Sequence, residues 1–91
     1  MLLEITNIQD HCVDTSHIVT YIGKWRDIDV EIVDYISDGQ GVYIYQTHDN
    51  DEQAYNHVRE LRKIRDTYEV NGGFADLTFI EFIERLFPDE N

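Results

Sequence analysis

The segment QDHCVDTSH, residues 9–17, gathers Asp10, His11, Cys12, Asp14 and His17. A cysteine near histidine can work as a nucleophile pair, and thiol, imidazole and carboxylate together can hold a metal ion. The spacing argues against both. His11 and Cys12 are sequence neighbours, which in a strand point to opposite faces, and no oxyanion-forming or base-orienting motif accompanies them. The expectation is an idle or buried cysteine, with no catalytic residue, no metal and no cofactor.

Two further segments imitate known chemistry. In DNDEQAYNHVRE, Asp49, Asp51, Gln53, Tyr55, His57 and Glu60 occupy the relative positions of calcium ligands in a helix–loop–helix site. Ala54 stands where that loop needs glycine for its sharp turn, and the same residues read well as a helix start. The glycine clusters DGQG and NGG match neither phosphate-binding fingerprint, so they read as turns. Acids on one strand face, with no apolar pocket to separate their pKa values, give no acid–base pair of the glycosidase kind. The chain reads as a non-enzyme.

What remains is the placement of charge. The 91 residues carry 19 acids against 7 bases, a formal charge of −12. Such a charge opposes direct contact with nucleic acid or an anionic membrane and favours encounter with a basic protein surface. In RDIDVEIVDY, Asp27, Asp29 and Glu31 alternate with Ile28, Val30 and Ile32. No base falls between Asp27 and Val58, whereas Arg59, Arg62, Lys63 and Arg65 crowd one later segment, where salt bridges along a helix account for them. Side chains on one face of a strand repeat every ~6.6 Å, near the rise of two nucleotides at ~3.4 Å each. A row of carboxylates can therefore stand in for a row of phosphates. Against this, any exposed strand face needs polar residues, and acids in an acidic protein are an ordinary choice.

The elements that must carry these residues follow from periodicity. Ninety-one residues suffice for one hydrophobic core, so residues 1–91 are expected to form a single domain. Residues 17–25 and 42–47 are rich in β-branched and aromatic residues, and residues 27–36 alternate strictly, which predicts a three-stranded antiparallel meander. The segment MLLEITNI fits a strand or a helical turn equally. With Gly39 as the left-handed residue of a three-residue loop, Ile28, Val30 and Ile32 share a face with Val42 and Ile44. Asp27, Asp29, Glu31, Val33, Tyr35, Tyr43 and Tyr45 then lie opposite. A two-residue loop would reverse the third strand.

Ala54, Val58, Leu61, Ile64 and Tyr68 fall at helical spacing, predicting a helix over 51–68 that NGG stops. The sequence TFIE is a capping box, in which Thr78 caps a helix over 79–87 and Glu81 reaches back. The fold class is α+β. A single cysteine and the lack of a signal sequence or a long apolar segment predict a cytoplasmic protein without a membrane span, monomeric or homodimeric.

The order of elements from YIGKW to FIERLF, the DGQG hairpin turn and the acidic balance resemble small acidic phage-encoded anti-CRISPR inhibitors. That resemblance implies a three-stranded antiparallel sheet beside helices, and a protein that occupies the DNA-binding site of a nuclease. The leading expectation is thus a non-enzymatic inhibitor of a basic, nucleic-acid-binding host or defence protein. Asp27, Asp29, Glu31, Asp38, Asp49, Asp51 and Glu52 would meet basic residues, with Tyr35, Tyr43 and Tyr45 as anchors. The alternatives are an immunity protein or antitoxin against a basic toxin, and an adaptor using the apolar C-terminal helix.

Overall fold

The computed structural model describes residues 2–13, 16–35, 41–48, 51–70 and 77–87. Four strands, β1 (Leu3–Val13), β2 (Ser16–Trp25), β3 (Ile28–Tyr35) and β4 (Gly41–Gln46), form an antiparallel sheet in the order β1-β2-β3-β4. The helices α1 (Glu52–Val70) and α2 (Phe79–Leu86) follow and pack on one face of it. The sheet therefore has one strand more than the sequence predicts.

The physical reason lies in a bulge. Leu3 pairs with Trp25 and Ile5 with Gly23, but Asn7 pairs with Ile22, so Thr6 is an extra residue. One inserted residue moves the rest of a strand to the opposite phase, and the alternation that marks β1 is lost to a period-two reading. Leu3 and Ile5 pack toward the core before the bulge; Ile8, Asp10 and Cys12 project on that same side of the sheet after it, exposed. Thr6 Oγ1 donates to the carbonyl of Ile22 at 3.0 Å. Gly23 makes the close approach possible: a Cβ there would lie 2.0 Å from the Glu4 carbonyl oxygen.

A second correction concerns Asp27, which the alternation places in a strand. Trp25 pairs with Ile28, leaving Arg26 and Asp27 as a two-residue turn with φ of 50° and 67°. Both values lie in the left-handed region that a primed hairpin turn demands, and neither residue is the glycine or asparagine that usually announces it. Tertiary contacts hold Arg26 there. Its backbone N–H donates to the Leu2 carbonyl at 2.8 Å, its Nε reaches Glu60 Oε1 at 2.7 Å, and its guanidinium lies 5.3 Å from the Trp25 ring centroid.

The sidedness of β3 and β4 follows the sequence expectation. Val30, Ile32, Val42 and Ile44 are buried, and Ile32 pairs with Ile44 across the two strands. The loop proposed to set this register, residues 36–40 with Asp38 and Gly39, lies outside the described residues. Gly41 just after it has a φ of 97°.

Helix α1 presents Ala54, Val58 and Leu61 to the sheet, with Ile64 and Tyr68 packed at the core's margin, which is the predicted stripe. Asp51 caps its start, the carboxylate accepting from the Ala54 N–H at 2.7 Å. The capping box of α2 is also present: Thr78 Oγ1 accepts from the Glu81 N–H at 3.2 Å, and Glu81 Oε1 accepts from the Thr78 N–H at 3.1 Å. Tyr68 joins the helices, its hydroxyl donating to the Leu77 carbonyl at 2.7 Å and its ring lying 5.6 Å from that of Phe79. No helix among the described residues is long and apolar enough to cross a membrane.

Candidate interaction face

Both helices lie on one side, and none of the described elements covers the other side of the sheet. The pairings place its side chains in rows. Asn7, Ile22, Glu31 and Tyr45 form one row; Gln9, Thr20, Val33 and Tyr43 form the next. His11, Ile18 and Tyr35 form a third, and Lys24 with Asp29 closes the opposite end. Tyr43 and Tyr45 are 44% and 52% exposed, values that mark them as surface rings rather than core. Tyr35 and Tyr43 stand edge to face with centroids 5.5 Å apart, a geometry favoured by the ring quadrupoles.

The ten residues expected at a partner surface separate into groups. Asp29, Glu31, Tyr35, Tyr43 and Tyr45 share the open face. Asp27 stands in the β2–β3 turn, beyond the end of that face. Asp51 and Glu52 open α1 in the helical layer, and Asp51 is engaged as the helix cap. Asp38 and Asp49 lie outside the described residues. Along β3 the strand-spaced acids therefore number two, Asp29 and Glu31, and Asp29 is paired with Lys24 at 3.2 Å. The centre of the face is aromatic and aliphatic, with carboxylates toward one end.

Ile18, Ile22, Asn7, Gln9 and His11 belong to this face and were not assigned to it from sequence. Residues 17–25 read as a strand from composition, but the partner strand β1 carries no such signal, so nothing in the sequence shows that these residues extend the tyrosine surface.

Two of the crowded bases of α1, Arg62 and Arg65, are used within the fold. Arg62 donates to the Ile44 carbonyl at 2.8 Å and Arg65 to the Val42 carbonyl at 2.9 Å. The Thr47 N–H donates to the Asp29 carbonyl, which in an antiparallel ladder turns the odd-numbered β4 residues toward β3 and the even-numbered ones outward. The two arginines thus cover the outer edge of β4. Arg65 also meets Asp66 at 2.8 Å and Glu69 at 3.4 Å. Glu60 on the same helix holds Arg26.

The apolar α2 spends most of its surface internally. Phe79, Ile80 and Ile83 are buried, Phe82 and Phe87 pack against the core, and Leu86 remains 48% exposed. Leu86 is thus the large apolar side chain of α2 that stays exposed.

On the helix side, Asp34 is a buried acid, following Val30 and Ile32 along the inward face of β3. Burial, and then the charge of Glu69, push its carboxyl pKa above the ordinary value. Burial also raises the Tyr21 phenol, with Asp34, Glu81 and Asp10 adding to the shift. Compared with protein-family models, curated proteins and solved structures, the chain matches none of them.

Proposed function

We propose that the chain is a non-enzymatic inhibitor that docks through the open sheet face onto a basic, nucleic-acid-binding site of a host or defence protein, of which a CRISPR nuclease is an example. The observation that carries this reading is the helix-free face on which exposed Tyr43 and Tyr45 adjoin Glu31 and Asp29, in a chain of charge −12. Tyrosines suit such a surface, since each offers a large, stiff contact area with a polar tip and loses little conformational entropy on binding.

Glu31 lies between Ile22 and Tyr45 in its row, where an incoming arginine could pair with the carboxylate and stack on the ring. Asp29 already has Lys24 as a partner at 3.2 Å, but both side chains are exposed enough for solvent to weaken that pair. A bidentate arginine can displace the lysine from it. In this form, mimicry of a nucleic acid uses two carboxylates for the phosphates and the tyrosine rings for the stacked bases.

Affinity capture of partners from host lysate, followed by competition with DNA or RNA, tests the proposal. The expected partner is basic, is displaced by nucleic acid, and is released as salt is raised. Asp29→Lys with Glu31→Lys should abolish capture, and Tyr43→Ala with Tyr45→Ala should weaken it severely. Undiminished capture by a folded Asp29→Lys/Glu31→Lys protein would show that another surface binds.

A further inference from the structure

We propose that Asp10, Cys12 and His17 form a binding site for a zinc-class divalent metal ion on the β1–β2 hairpin. The site lies on the opposite side of the sheet from the tyrosine face and is independent of the inhibitor reading.

Strand geometry brings the three residues together. Asp10 and Cys12 are two apart in β1 and so share a face, and Cys12 pairs directly with His17 across the hairpin. One oxygen, sulfur or nitrogen atom from each lies within 4.8 Å of the other two, and His17 Nε2 is 2.6 Å from Asp10 Oδ1. His11, the sequence neighbour of Cys12, projects to the other face beside Ile18. Cys12 therefore faces His17, whereas the sequence reading weighed it against its neighbour His11.

The donor set selects the class of ion. A thiolate and an imidazole with one carboxylate suit zinc and its neighbours; magnesium and calcium prefer oxygen throughout. With bonds of ~2.0–2.3 Å, a tetrahedral zinc ion holds neighbouring ligand atoms about 3.3–3.7 Å apart. Reaching that geometry requires Cys12 Sγ to draw in by up to about 1.3 Å and the Asp10–His17 contact to open by about 0.7 Å. Asp10 and Cys12 are exposed and His17 is half-exposed, so side-chain rotation alone can accomplish this while the strands stay in register. Three protein ligands leave the fourth position to water. The chain's −12 charge raises the local concentration of cations. Binding requires an unprotonated thiolate and imidazole, so it releases protons and weakens as pH falls.

The test is titration of the reduced full chain with cobalt(II), followed by displacement with zinc(II). A one-to-one complex with a thiolate-to-cobalt charge-transfer band is expected. Cys12→Ser should remove the band, His17→Gln and Asp10→Asn should each weaken binding at least about tenfold, and His11→Gln should leave it intact. Amide NMR spectra should place the perturbation at residues 10, 12 and 17, and spectra of the metal-free variants should show an unchanged fold. The proposal is overturned by absence of the band, by unchanged cobalt affinity in Cys12→Ser, by equal losses from His11→Gln and His17→Gln, or by a metal shared between two chains.

Discussion

The indole Nε1–H of Trp25 donates to the backbone carbonyl of His57 at 2.9 Å. This bond joins the last residue of β2 to the second turn of α1, and Trp25 has no exposed surface. The ring of Phe87, the residue that follows α2, lies 6.0 Å away, so the same side chain meets α1 and the end of α2. Trp25→Phe removes the donor and leaves a void, and should lower unfolding stability by about 2–4 kcal/mol in urea melts. A loss below about 1 kcal/mol would mean that the helices are held to the sheet by other contacts.

Arg62 and Arg65 cover the outer carbonyls of β4, an edge that would otherwise be open to another strand. Arg62→Met with Arg65→Met retains much of the aliphatic packing and removes both charged donors. We expect a loss of about 1–3 kcal/mol together with concentration-dependent self-association. Denaturant unfolding and sedimentation velocity measure the two effects separately, and a stable monomer would show that the edge needs no cover.

Asp34 carries a pH dependence of definite sign. Burial and Glu69 raise its folded pKa above the ordinary 3.8, so the unfolded chain ionises first as pH increases. Its favourable contribution is complete below that ordinary value and is lost as pH rises through the folded pKa. Asp34→Asn mimics the protonated state and should therefore stabilise the protein near neutrality, with the difference vanishing in acid. Thermal melts of both proteins over pH 3 to 7 check this, and a variant that is less stable at neutral pH would reverse the assignment.

Asp27 occupies the left-handed region with a φ of 67°, at a cost of about 1 kcal/mol for a residue with a Cβ. Asp27→Gly should stabilise the β2–β3 turn by about that amount. Because Asp27 lies beyond the open face, the same substitution should leave partner capture nearly unchanged, in contrast to Asp29→Lys with Glu31→Lys. Urea melts and the capture assay read the two outcomes.

Local periodicity and capping determined much of the architecture. Alternating Val30 and Ile32 marked the buried side of β3, the spacing of Ala54, Val58 and Leu61 marked the inward stripe of α1, and Thr78 with Glu81 marked the start of α2. Each signal is carried by neighbours within a few residues, whose side-chain direction is set by backbone geometry alone. That Glu31 and Tyr35 share one face of β3, and Tyr43 and Tyr45 one face of β4, was legible for the same reason, whereas the joining of the two faces rested on the loop.

Tertiary structure decided what depended on partners distant in sequence. The bulge at Thr6 hid β1 from a period-two reading, and with it the neighbours that turn the tyrosine face into a four-strand surface. Arg26 and Asp27 carry no local turn signal, and their left-handed backbone is held by Leu2, Trp25 and Glu60. Arg62 and Arg65 looked like solvated helix charges until β4 placed its carbonyls beside them. The same holds for Cys12, whose counterpart is the residue across the hairpin rather than the one beside it. Pairing energy between strands depends on register, and register is a property of two segments together, so neither segment alone could disclose it.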